Sequence, residues 1–159
     1  SIHLTDWPKF EAALINQSLE TDMLKVRDLV EKIHSRRKAL NLPVRQPLAA
    51  ATVSTKPVAP PLLHLILEET NLKSLRFIPK AGDLTVKLDT RLTPALKAEG
   101  EAREIIRMIQ AARKTAATGL SETVDVELPA WPRDYTDYIK KQALVRDLKT
   151  GPTFKLTRL

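Results

Sequence analysis

The chain has 159 residues, no cysteine, four glycines and eleven prolines; 26 Lys+Arg against 19 Asp+Glu give it a formal charge of +7. That length accommodates one full domain with room for a short piece of another, and it buries a core without covalent staples. The lack of cysteine excludes a disulfide scaffold, thiol catalysis and cysteine-type zinc sites; an aromatic content of 4% leaves no broad stacking platform for single-stranded nucleic acid.

The expected elements run as follows. Residues 1–17 read as an irregular lead-in broken by Trp7-Pro8. From Ser18, Met23, Val26, Val30, Ile33, Arg37 and Leu40 recur at spacings of three and four, with Leu29 beside them, so a helix is expected to about Asn41. Arg37 falls on that apolar stripe. A guanidinium there either meets a buried acceptor or reaches out from the rim. Residues 48–54 form a short apolar strand. The prolines of 56–61 connect it to a helix carrying Leu62, Leu63, Ile66 and Leu67. Leu75 and Phe77, then Leu84, Val86 and Leu88, alternate with polar neighbours as two strands around an Ala81-Gly82-Asp83 turn.

Thr93-Pro94 is a helix start. The stripe Ala102, Ile105, Ile109, Ala112 and Ala116 continues it, with Gly100 inside as a possible kink and Gly119 at the position of a C-terminal cap. Val124, Val126 and Leu128 alternate as a strand; 134–147 reads as a last helix, and Phe154 and Leu156 as a terminal strand. The order predicts an α+β fold. A long N-terminal helix leads into a ferredoxin-like βαββαβ domain with a C-terminal αβ extension, the helices packed on a mainly antiparallel sheet.

The sequence holds no nucleophile motif, phosphate loop or dinucleotide fingerprint. His3, His34 and His64 lie about 30 residues apart, without metal-ligand spacing, and read as structural or solvent-facing. No catalytic or metal-binding residue is therefore assigned. No run reaches the roughly 18 apolar residues of a membrane span, and no secretory leader pattern is visible at the N-terminus. The positive charge is spread along the chain without a polybasic tail, which fits either an ordinary basic surface or attraction to a polyanion such as RNA. Two basic stretches stand out: Arg36-Arg37-Lys38 with Arg45, and Arg103, Arg107, Arg113 and Lys114. Arg103 and Arg107 share a helix face and could grip a phosphate; the alternative is ion pairing with Glu99, Glu101 or Glu104. SRRKALNLPV and AARKTAATGL also echo one another, each placing Arg-Lys near a helix end. There the positive charge suits the helix dipole and needs no other function. Trp7 and Trp131, each followed by proline, are stacking surfaces for a base or buried loop anchors.

Several blocks carry a resemblance in combination. SIHLTDWP, VRDLVEKIHSRRKALNLPVRQPL, LTPALKAEGEAREIIRMIQAARK and DYIKKQALVRDL resemble the C-terminal part of isoleucyl-tRNA synthetases, class I aminoacyl-tRNA synthetases. The absence of cysteine resembles the zinc-free form of that C-terminus. Together with a start at Ser1 rather than Met, the resemblance implies a fragment. Residues 1–47 would be the end of the helical anticodon-binding domain, and 48–159 the C-terminal extension. It implies a cytoplasmic parent that joins isoleucine to its tRNA with ATP and magnesium, while this piece lacks the catalytic and editing domains and needs no cofactor of its own. The implied partners are isoleucine tRNA, through its anticodon arm, and the rest of the parent chain, with neither DNA nor membrane. Arg36, Lys38, Arg45, Arg103, Arg107 and Lys114 are the expected RNA contacts, and Arg37 is assigned to structure. The rival expectation is an extension that braces the helical domain and never touches RNA. Interleaving of the basic residues with Glu99, Glu101 and Glu104 would favour the brace.

Overall fold

A computed structural model describes residues 6–7, 11–80 and 82–158; His3, Pro8 and Ala81 fall outside them. The leading helix α1 spans Gln17–Ala39, opened by the Asn16 side chain, which accepts a hydrogen bond from the Leu19 N–H. Its inward stripe, Val26, Leu29, Ile33 and Arg37, is buried, while Met23 and Val30 are half-buried. The helix stops at Asn41, which adopts φ 53°. There the Leu42 N–H reaches back to the Arg37 carbonyl and the Asn41 N–H to that of Lys38, a Schellman closure.

The chain then forms β1 (Ala51–Val53), α2 (Pro60–Thr70), β2 (Leu75–Phe77) and β3 (Val86–Leu88). β1 lies between its partners, parallel to β2 and antiparallel to β3. The inward residues Ala51 and Val53 join Leu48, Leu62, Ile66, Leu72 and Leu88 beneath α1 in one apolar core. The α1 stripe is thus covered by this sheet and by α2.

A second helix, α3 (Pro94–Thr115), begins with the Thr93 hydroxyl accepting from the Leu96 N–H. β4 (Val124–Leu128), α4 (Thr136–Ala143), β5 (Val145–Thr150) and β6 (Lys155–Arg158) follow. β4 is again central, parallel to β5 and antiparallel to β6. Ile105, Ile106 and Ile109 from α3 pack with Val124, Val126, Leu128, Ile139 and Leu148 in a second core.

The α+β class and the long leading helix are as expected. The strands, however, divide between two three-stranded mixed sheets, so the chain is the order helix–strand–helix–strand–strand written twice. The difference arises at one residue. The sequence reading continued the last helix to Asp147, but Leu144 takes φ 53° and ends it. Val145 and Leu148 then bury themselves as β5 alongside β4. A short amphipathic helix running straight into a strand offers no break in apolar periodicity, and Leu144 is not a residue that announces a left-handed cap.

The two halves agree in detail. At the end of α3, Ala117 takes φ 50°, the Thr118 N–H reaches the Arg113 carbonyl and the Ala117 N–H that of Lys114. That is the closure seen after α1, with Arg113-Lys114 standing where Arg37-Lys38 stand. Gly119, expected as the cap, lies two residues beyond the turn; its carbonyl accepts from Arg113 and its N–H donates to Glu122. Asn71 and Leu144, both left-handed, end the second helix of each half. Their carbonyls accept from the N–H groups of Leu48, three residues before β1, and of Val124, the first residue of β4. The echo between SRRKALNLPV and AARKTAATGL is thus the sequence trace of a structural repeat.

Candidate nucleic-acid interface

Apart from Arg113, which caps the end of α3 through the Gly119 carbonyl, the basic residues singled out by sequence separate into three groups. Arg37 is fully buried and donates to the carbonyls of Pro43, Gln46, Thr70 and Asn71, tying the end of α1 to two loops. Burial lowers its pKa, but an arginine that loses part of its solvation still stays charged near neutrality. Of the two expectations for a guanidinium on that stripe, a buried acceptor or a rim position, it meets the first.

Arg45, Arg103 and Arg107 lie in a seam where the start of α3 packs against the first half. Arg103 donates to the Asn71 side chain and to Glu99, and Lys73 pairs with the same Glu99. Glu104 sits between Arg107, at 2.8 Å, and Arg45, at 3.9 Å. The pairing of Arg103 and Arg107 with carboxylates on their own helix is the alternative left open by spacing alone. The exposed Arg107–Glu104 pair contributes about 0–1 kcal/mol.

Gly100 belongs to the same seam. It is buried, and α3 runs through it without interruption, so its purpose is not a kink. The Gln46 amide lies against it, donating to the Leu96 and Pro47 carbonyls, and a Cβ on Gly100 would stand 2.4 Å from the Gln46 Oε1. Gly100→Ala should therefore lower stability by about 1–2 kcal/mol, although alanine favours helix by about 1 kcal/mol. In the Gln46→Ala background the same substitution should become neutral or stabilising, which urea titration of the four proteins in the cycle checks.

Arg36, Lys38 and Lys114 form the third group. All are exposed, in or beside the last turns of the two long helices, and form no ion pair among the described residues. Trp131 is a loop anchor: it is buried, its indole N–H donates to the Thr136 hydroxyl, and the Arg133 guanidinium covers its ring at 3.7 Å. Trp7 is 91% exposed. His64 stands 3.3 Å from Glu68, exposed, and the Nδ1 of half-buried His34 has no partner. Among the described residues no group of three or more His, Cys, Asp or Glu could hold a metal ion, and no helix is long and apolar enough to cross a membrane.

Sequence reasoning passed over the outer face of the first sheet. A cleft of about 780 Å³ lies there, lined by Thr52, Ser74, Arg76, Lys87, Asp89 and Arg91 among others. Strand register places Arg76 and Lys87 on either side of Thr52. Arg91 grips Asp89 through two guanidinium nitrogens and its N–H, and these bonds hold the Asp89 carboxyl down to about 2. The signal was present in the alternation: Arg76 lies between Leu75 and Phe77, and Lys87 between Val86 and Leu88, so both must face away from the core. Their proximity was not, because they are eleven residues apart on strands that do not pair with one another.

No family model matches the chain. An isoleucine–tRNA ligase of Dehalococcoides mccartyi is 33% identical over 95% of this chain, and the match occupies 17% of that relative. An isoleucine–tRNA ligase of Clostridium tetani is 33% identical over 64% of the chain and 10% of its own length. One from Leifsonia xyli is 26% identical over 80% of the chain and 18% of its own length. The chain thus spans less than a fifth of these relatives, while the match to the Dehalococcoides protein covers 95% of it. These residues belong to the isoleucine–tRNA ligase family, as the counterpart of one part of such an enzyme.

Proposed function

We propose that this chain is the tRNA-contacting C-terminal part of a cytoplasmic isoleucine–tRNA ligase, whose remaining parts join isoleucine to its tRNA with ATP and magnesium. The observation that carries the reading is the match over 95% of the chain to an isoleucine–tRNA ligase. In this reading residues 1–47 end the helical anticodon-binding domain and 48–159 form the extension, with α1 serving both, since its buried face already covers the first sheet. Catalysis and editing lie elsewhere in the parent, and the chain itself contributes affinity for the anticodon arm.

Among the residues expected to touch RNA, exposure without an ion pair favours Arg36, Lys38 and Lys114 as phosphate contacts. Arg45, Arg103 and Arg107 are engaged by Glu99 and Glu104, so contact with RNA would require them to exchange a carboxylate for a phosphate. That engagement is also the observation favouring the second reading, a brace that holds the helical domain without touching RNA. Filter binding separates the two. The chain should retain isoleucine tRNA more tightly than a valine tRNA control. Its log affinity should fall with log salt by about 0.7–0.9 per phosphate neutralised. Arg36→Ala with Lys38→Ala and Lys114→Ala should flatten that slope. Absence of tRNA binding at low salt would leave the brace.

A further inference from the structure

The two halves of the chain carry the same sheet, and their outer faces differ in one decisive place. In the second sheet the central strand presents Glu127, flanked in register by Lys149 on β5 and Lys155 on β6. In the first sheet the corresponding row is Arg76, Thr52, Lys87. Two cations thus flank the middle strand in both halves, but only the second half has a carboxylate between them.

Other carboxylates on the second face take up cations as well: Arg146 pairs with Asp125 and Lys149 with Asp147. On the first face the one carboxylate lining the cleft, Asp89, is already taken by Arg91. Arg76 and Lys87 are exposed and form no ion pair among the described residues. Adjacent strands lie about 4.8 Å apart, so the two cations spring from backbones roughly 10 Å apart, on either side of Thr52. The Thr52 hydroxyl adds a donor between them, with the Ser74 and Thr90 side chains lining the same cleft.

We infer that the outer face of the first sheet is a phosphate-binding site, in which Arg76, Lys87 and Thr52 hold a phosphodiester of a bound RNA strand where the second sheet holds its own Glu127. Guanidinium and ammonium donors on a phosphate are charge-assisted and therefore strong for their exposure. The inference rests on the proposed tRNA-contacting role and adds to it a site on a sheet, remote in sequence from the helix-end cations.

Substitution of the central residue tests it. Thr52→Glu supplies internally the carboxylate that the second sheet already tolerates, so folding should be preserved, and circular dichroism checks this. Its affinity for tRNA should fall about tenfold, and its salt slope should flatten by one to two phosphates. Arg76→Ala with Lys87→Ala should do the same, and a further Thr52→Glu on that background should add little. Conversely, Glu127→Thr should steepen the slope by removing the carboxylate that stands beside Lys155, while Lys149 keeps its pair with Asp147. Inorganic phosphate, titrated against the unmodified chain and followed by chemical shifts of the Thr52 and Lys87 amides, separates a bare phosphate site from one that requires the RNA strand. Millimolar saturation would point to the former and would overturn the assignment to a strand. Unchanged tRNA affinity in Thr52→Glu would overturn the site while leaving the tRNA-contacting role intact, whereas a chain that binds no tRNA would overturn both.

Discussion

Arg37→Ala should be the most destabilising single substitution in the first half, with an expected loss of about 3–5 kcal/mol. The side chain is 0% exposed and donates to four backbone carbonyls from two separate loops. Its removal leaves those oxygens without their donor and opens a cavity at the end of α1. For a domain whose total stability is about 5–15 kcal/mol, that loss approaches unfolding. Arg37→Met retains the stem and should recover the packing part alone. Arg113→Ala is the natural control: it occupies the equivalent position, yet donates only to the Gly119 carbonyl, so it should lose about 1–2 kcal/mol. Urea titration of the three variants reads the order directly, and a loss below 1 kcal/mol for Arg37→Ala would remove the guanidinium from its role as the tie between α1 and the first sheet.

Ile33→Ala and Ile109→Ala should each lower stability by about 2–5 kcal/mol. Both residues are 0% exposed, and each lies four positions before the buried arginine of its helix. Ile33 belongs to the core around Leu48 and Ile66, and Ile109 to the core around Val124 and Ile139. What connects the two halves is a polar seam: Gln46 to the Leu96 carbonyl, Arg103 to Asn71 and Lys73 to Glu99. Mutations in separate cores with no shared partner should add within about 0.5 kcal/mol. The double variant therefore tests the division of the chain into two cores, and a coupling energy well above that value would mean that the seam carries packing strain from one half to the other.

Much of the local structure was legible because it depends on neighbours in sequence. Thr93-Pro94 opened its helix, and the stripe from Val26 to Arg37 faced inward. The placement of Arg37 on that stripe left a buried acceptor or a rim position, and the structure supplies the acceptors. The α+β class followed from the alternation of helical and strand periods. The fifth strand did not, because a left-handed Leu144 looks like one more apolar residue of a helix. Without that strand the order resembled a single ferredoxin-like sheet, and the repeat remained only an echo between two helix ends.

The candidate site divides in the same way. That Arg76 and Lys87 face outward was fixed by their alternation with apolar neighbours. That they flank the same threonine was decided by strand register. Spacing left Arg103 and Arg107 between a phosphate and a carboxylate, and the fold engages them with carboxylates while Arg37 is buried among carbonyls. The sequence by itself determined the amphipathic faces, the helix starts and the kinship of the chain, since each depends on residues within a few positions or on the identity of whole blocks. Only the tertiary structure decided which strands pair, which acceptors Arg37 meets and which cations stand unneutralised, because those depend on groups that long-range packing alone brings together.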